Sequence, residues 1–164
     1  MKMHIYVALG ISIGVLAGLL CLICNWFGSF NVPALAIAAW PGFVAWACYF
    51  AIGGKPAGMG KVMAANTAGI IVAGIILVLT GLFGGSALAL AIAVVIGAFI
   101  LCVEAFWVPL SFIPGAFCGC ACAFGFGASF GNIQAAVALL LSMLIGAFFA
   151  WLSDIWGQKM AKSE

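Results

Sequence analysis

The sequence predicts an all-α, polytopic membrane protein with six transmembrane helices. Three observations predict it. Of 164 residues, 68% are hydrophobic and only 5% are charged, and the mean hydropathy is +1.41. A soluble domain carries about a quarter of its residues as Asp, Glu, Lys and Arg to keep its surface wet, and this chain cannot. Apolar stretches of spanning length also recur between short breaks. A crossing takes about 20 residues, each rising about 1.5 Å through a hydrocarbon core of about 30 Å. Finally, six crossings bring every lysine to one side of the membrane.

The predicted helices are 5–27, 32–52, 62–83, 86–107, 111–129 and 132–156, forming a single transmembrane domain over 1–164. The first follows Lys2 and His4, as a signal peptide would. Its apolar run to Phe27 is too long for a signal h-region and ends in no small-residue cleavage site, so it reads as a retained helix. Gly28-Ser29-Phe30-Asn31 turns the chain, and Pro33 suits the start of the second helix, where its missing N–H costs nothing. Gly53-Gly54-Lys55-Pro56 and then Gly84-Gly85 punctuate the next two boundaries. Ser86 is placed to cap the fourth helix and Asn132 the sixth. Pro109 and Pro114 bracket an irregular stretch before the fifth helix, the shortest and richest in small residues.

Charge sets the expected orientation. Lys2 precedes the first helix, Lys55 and Lys61 lie between the second and third, and Lys159 and Lys162 follow the sixth. Loops on the opposite side hold no lysine. The positive-inside rule then puts both termini in the cytoplasm. A weak internal repeat also suggests itself. Ala34-Leu-Ala-Ile-Ala38 recurs as Ala89–Ala93, and the same offset of 55 pairs Gly42 with Gly97 and Gly60 with Gly115, matching helices 2–3 to helices 4–5.

The net charge of +2 without a single arginine offers nothing to nucleic acid. There is no Ser/His/Asp set, no carboxylate pair and no phosphate loop, so an enzyme is not expected. Seven cysteines all sit in apolar segments, where they serve best as small packing residues. Cys118, Cys120 and Cys122 invite a metal reading. Only Cys118 and Cys122 would share a helix face, and zinc needs four ligands, so neither metal nor cofactor is expected.

Candidates for a solute pathway are the polar and aromatic groups at membrane depth. Glu104 is ionisable within a spanning segment, which is costly unless used; the alternative is a solvated interfacial residue or a partner for Lys55 or Lys61. Asn66 and Thr67 lie one to two turns inside the third helix. Thr67 suits helix packing, whereas the Asn66 amide needs several partners. Trp46, Tyr49 and Phe50 end the second helix and can line a groove for a small solute, or form an interfacial belt. Ser111 lies in the irregular stretch. Gly10, Gly14 and Gly18 form a ridge at every fourth position, as do Gly115 and Gly119; such ridges bring helices close, within a protomer or between subunits.

Two stretches carry a family resemblance: Trp40-Pro-Gly-Phe with Tyr49-Phe-Ala-Ile-Gly-Gly54, Gly58 and Gly60, and Leu110-Ser-Phe-Ile-Pro-Gly-Ala-Phe-Cys-Gly119. Over roughly residues 40–125 the chain resembles the YcdZ-like bacterial inner-membrane proteins, a family of unknown function. The resemblance implies an inner-membrane location and no site residues. The expected function is a passive membrane channel or facilitator for a small neutral or weakly charged solute, acting as a homo-oligomer in the lipid bilayer. An ion- or proton-coupled transporter using Glu104 and a non-transporting membrane scaffold are the alternatives.

Overall fold

A computed structural model of the chain describes residues 3–28 and 36–162. Among these residues the structure is helical: α1 (Ile5–Gly28), α2 (Ala39–Ala51), α3 (Lys55–Leu82), α4 (Ala87–Val103), α5 (Ile113–Phe126) and α6 (Ile133–Lys162), with two 3-10 turns at Glu104–Phe106 and Val108–Leu110. Lys2 and Pro33 lie outside the described residues. Four helical stretches are long and apolar enough to cross a membrane: Ile5–Gly28, Lys55–Leu82, Ala87–Phe106 and Ile133–Ala161. The chain is a membrane-embedded protein.

The other two helices are short. At 1.5 Å per residue, the 13 residues of α2 and the 14 of α5 reach about 20 Å, two thirds of a bilayer core. The second helix therefore departs from its expected span of 32–52, because residues 36–38 are not helical and helix begins only at Ala39. The seven residues before Val62 went instead to α3. Gly53, Gly54 and Lys55 all take positive φ (92°, 69° and 67°), which reverses the chain at once and leaves Pro56 in the first turn of α3, where proline fits. Ser86 and Asn132 cap as expected: Ser86 Oγ accepts from the Ala89 N–H at 3.1 Å, and Asn132 Oδ1 accepts from that of Ala135 at 3.3 Å. α6 runs six residues beyond its expected end at 156.

Two three-helix halves share one plan. In α2, Pro41, Gly42, Ala45, Trp46, Cys48 and Tyr49 are buried. In α5 the buried residues are Gly115, Ala116, Gly119, Cys120, Cys122 and Ala123, each 74 positions later. Ala8, Ser12, Leu16 and Leu20 of α1 correspond at offset 81 to Ala89, Ala93, Gly97 and Leu101 of α4. Val62, Ala65, Asn66, Gly69, Val72, Ala73 and Ile76 of α3 correspond at offset 77 to Leu139, Ser142, Met143, Gly146, Phe149, Ala150 and Ser153 of α6. Buried positions therefore correspond between α1–α3 and α4–α6, whereas the expected match of helices 2–3 to helices 4–5 sets non-helical residues 36–38 against helical ones in α4.

The halves exchange their third helices. α1 and α2 both pack on α6, while α4 and α5 both pack on α3; α1 barely touches α2, and α3 meets α6 at the centre. Ser12 bonds Ser153 and Tyr49 bonds Asp154, so α1 begins, α2 ends and α6 finishes at one end of the bundle. Lys55, Lys61 and Lys159 belong to that end. α3 leaves it as α6 approaches it, so the two halves run in opposite directions.

Candidate functional site

The crossings of α2 on α6 and of α5 on α3 fall near the middle of α6 and α3. Close approach there is made by glycine. A Cβ on Gly146 would strike the backbone of Gly42, and one on Gly69 would strike Ala116 O, the corresponding contact in the other half. A Cβ on Gly119 would strike Asn66 O. Helix backbones thus touch without intervening side chains, which gains dispersion contact that lipid cannot supply. Gly115 and Gly119 therefore do pack within the protomer. Gly10, Gly14 and Gly18 do not: a Cβ at any of them meets nothing within 4 Å, and all three face outward.

Asn66 stands out at this crossing. It is only 2% exposed, and both Oδ1 and Nδ2 are buried without a hydrogen-bond partner. Each such group costs on the order of 1–3 kcal/mol. It shares a helix stripe with Val62 and Ala73, both fully buried in the cluster that also holds Cys48, Cys122, Leu139 and Met143. Its neighbour Thr67 has spent its hydroxyl on Met63 O, at 2.7 Å, and otherwise edges an apolar cavity of about 250 Å³ beside Gly74 and Phe130.

The aromatic group at the end of α2 divides. Trp46 and Phe50 line a groove of about 260 Å³ against Ile13 and Ala17 of α1. Trp46 packs its ring 6.3 Å from that of Phe149, and its Nε1 has no partner. Tyr49 does not join that groove. It is fully buried, and its hydroxyl donates to Asp154 Oδ2 at 2.9 Å; Gln158 holds the other carboxylate oxygen at 2.8 Å. Tyr49 is neither a belt residue nor exposed to a groove. The sequence offered no sign that Asp154, read as interfacial, would reach back to it.

Glu104 caps the C-terminus of α4. It is half-buried, and Oε1 is shielded with no hydrogen-bond partner, so that atom answers neither Lys55 nor Lys61. Ser111 is exposed in the connector before α5. All seven cysteines are free. Among the described residues no three His, Cys, Asp or Glu side chains are placed to hold a metal.

The class that fold and site define is a membrane-embedded helical protein of two antiparallel three-helix halves, each with one helix too short to span. The chain belongs to the DUF1097 family, proteins of unknown function, whose model matches residues 10–158. No curated protein and no solved structure matches it.

Proposed function

We propose that this protein is a membrane facilitator for a small neutral or weakly charged solute, whose route passes between α2 and α5 at the centre of the bundle. One observation carries the reading: the two short helices occupy corresponding positions in the two halves, each entered through non-helical backbone. Non-helical backbone at membrane depth is tolerated where it is buried in protein or lines a cavity. Paired interrupted helices in opposed repeats are where small-solute sites form in transporters. The candidate lining groups are Asn66, Thr67 and Ser111, with Trp46 on the α1 side of α2 and Tyr49 bracing α2 from behind. The reading places the protein in a bacterial inner membrane, with the lysine end and both termini cytoplasmic. It also makes it a homo-oligomer, supported by the outward ridge of Gly10, Gly14 and Gly18.

The test is solute flux into liposomes containing the purified protein, over a panel of small amides, amines, alcohols and weak acids. The expected result is a permeability above that of empty vesicles for at least one neutral member. Equal permeability across the whole panel would refute the reading. A proton-coupled transporter is the second reading, supported by the unpartnered Glu104 Oε1. It predicts that Glu104→Gln abolishes uptake driven by a pH gradient while leaving the protein folded; unchanged uptake would remove it.

A further inference from the structure

We infer that Asn66 is the recognition site for a small neutral solute that presents a hydrogen-bond donor and acceptor side by side, of which a primary amide is the simplest. The inference rests on the facilitator reading and names its substrate class. A carboxamide offers one acceptor and two donors, and here both the oxygen and the nitrogen are sealed from solvent with nothing bound to either. Packing does not call for an amide at this point. The corresponding position in the other half is Met143, 1% exposed in the same core cluster, so the fold accepts an unbranched apolar side chain there. What Asn66 adds over methionine is a matched pair of unused hydrogen-bonding atoms. Their complement is a molecule carrying the same pair in reverse, able to close two bonds at once.

The surroundings narrow the class further. Val62 and Ala73 flank Asn66 on its stripe and are fully buried, and Leu139 belongs to the same cluster. A charged solute would lose its hydration here without an opposite charge in return. A neutral one loses only what the amide restores. Access requires the two units to part slightly along the α3–α6 seam. Met143 suits a seam of that kind, because its three rotatable bonds let it refill a changing gap. Gly119, seated directly on the Asn66 backbone, ties any movement of α5 to this residue.

The experiment is thermal unfolding of the purified, detergent-solubilised protein with and without acetamide, read for the wild type and for Asn66→Leu. Acetamide is expected to raise the wild-type midpoint and to leave that of N66L unmoved. N66L alone is expected to melt higher, by roughly 2–4 °C, because it removes unpaired polar atoms. A second measurement needs no variant. Acetone has the shape of acetamide but lacks its donors, and should protect the wild type at least tenfold less well. A site built to bond a polar group discriminates strongly against the analogue that lacks it. An acetamide shift that persists in N66L, no shift in the wild type, or acetone matching acetamide would each overturn the inference. Should the flux panel show nothing while the Asn66-dependent shift is present, the site stands and the facilitator reading falls.

Discussion

The two three-helix units of this protein have the same shape and are held together differently. In the unit of α1, α2 and α6, polar groups tie helix to helix. Ser12 Oγ donates to Ser153 O at 2.8 Å, the Ala38 N–H donates to Ser142 Oγ at 3.0 Å, and Tyr49 donates to Asp154. In the unit of α3, α4 and α5, Ala93, Ala65 and Ala123 stand in place of Ser12, Ser142 and Tyr49, and their side chains have no polar atom to form such a bond. Among the described residues no side-chain hydrogen bond joins these three helices. Contact is made instead by backbone on backbone at Gly69 and Gly119, and by Ile76 against Gly97. Hydrogen bonds fix a register, whereas close apolar contact permits small sliding. Asn66 lies in the second unit.

Four tests would break or sharpen that contrast. The largest effect belongs to Gly69→Ala and its counterpart Gly146→Ala. Each places a Cβ onto helix backbone, which cannot rotate away, so each should cost at least about 3 kcal/mol and lower the melting midpoint by roughly 6–12 °C. If only one of the pair does so, the two halves are not equivalent where they touch. Tyr49→Phe comes next, with an expected loss of about 1–2 kcal/mol because it removes a bond to a carboxylate. A double-mutant cycle with Asp154→Asn should return most of that as coupling, and additive losses would show the contact to be worth nothing. Ser12→Ala should cost about 0.6 kcal/mol, the average for interhelical bonds in membranes. Ala93→Ser, tested beside it, should gain little stability, since the Ile76 carbonyl that corresponds to the Ser153 acceptor already accepts from Thr80 Oγ1 at 2.8 Å. The smallest effect is expected from Gly14→Ala, under about 0.5 kcal/mol in a protomer. In the facilitator reading the same change shifts the oligomer distribution, visible by light scattering of the detergent complex.

Much of this fold was legible in the residues. Composition identified the membrane, and glycine pairs and cap residues located most helix boundaries. The grouping of Lys55, Lys61 and Lys159 at one end followed from counting crossings. What hydropathy could not see was backbone state. An apolar run at 32–52 looks the same whether it is helical throughout or not helical at 36–38. The repeat was missed for a different reason. The matching positions drift from offset 81 to 74 to 77, because the buried positions of the first and second helices lie seven residues closer together in the second half and the connection after the short helix is three residues longer, so no single offset reveals them. A local signal was there: Phe43-x3-Ala47-Cys48-x-Phe50-x2-Gly53 reappears as Phe117-x3-Ala121-Cys122-x-Phe124-x2-Gly127. The last residue of each takes positive φ. Asn66 was visible as a polar residue in an apolar helix. That neither of its polar atoms finds a partner is a tertiary fact, which no local pattern encodes.

The exchange of third helices has a consequence for how the chain is made. α1 is made before α6, yet its buried stripe of Ala8, Ser12, Leu16 and Leu20 is covered by α6. Until α6 inserts, the Ser12 hydroxyl faces lipid with only the Leu9 carbonyl of its own helix to bond. Neither half can mature before the other. The spans made before α6 remain an open set until its thirty residues arrive to cover them.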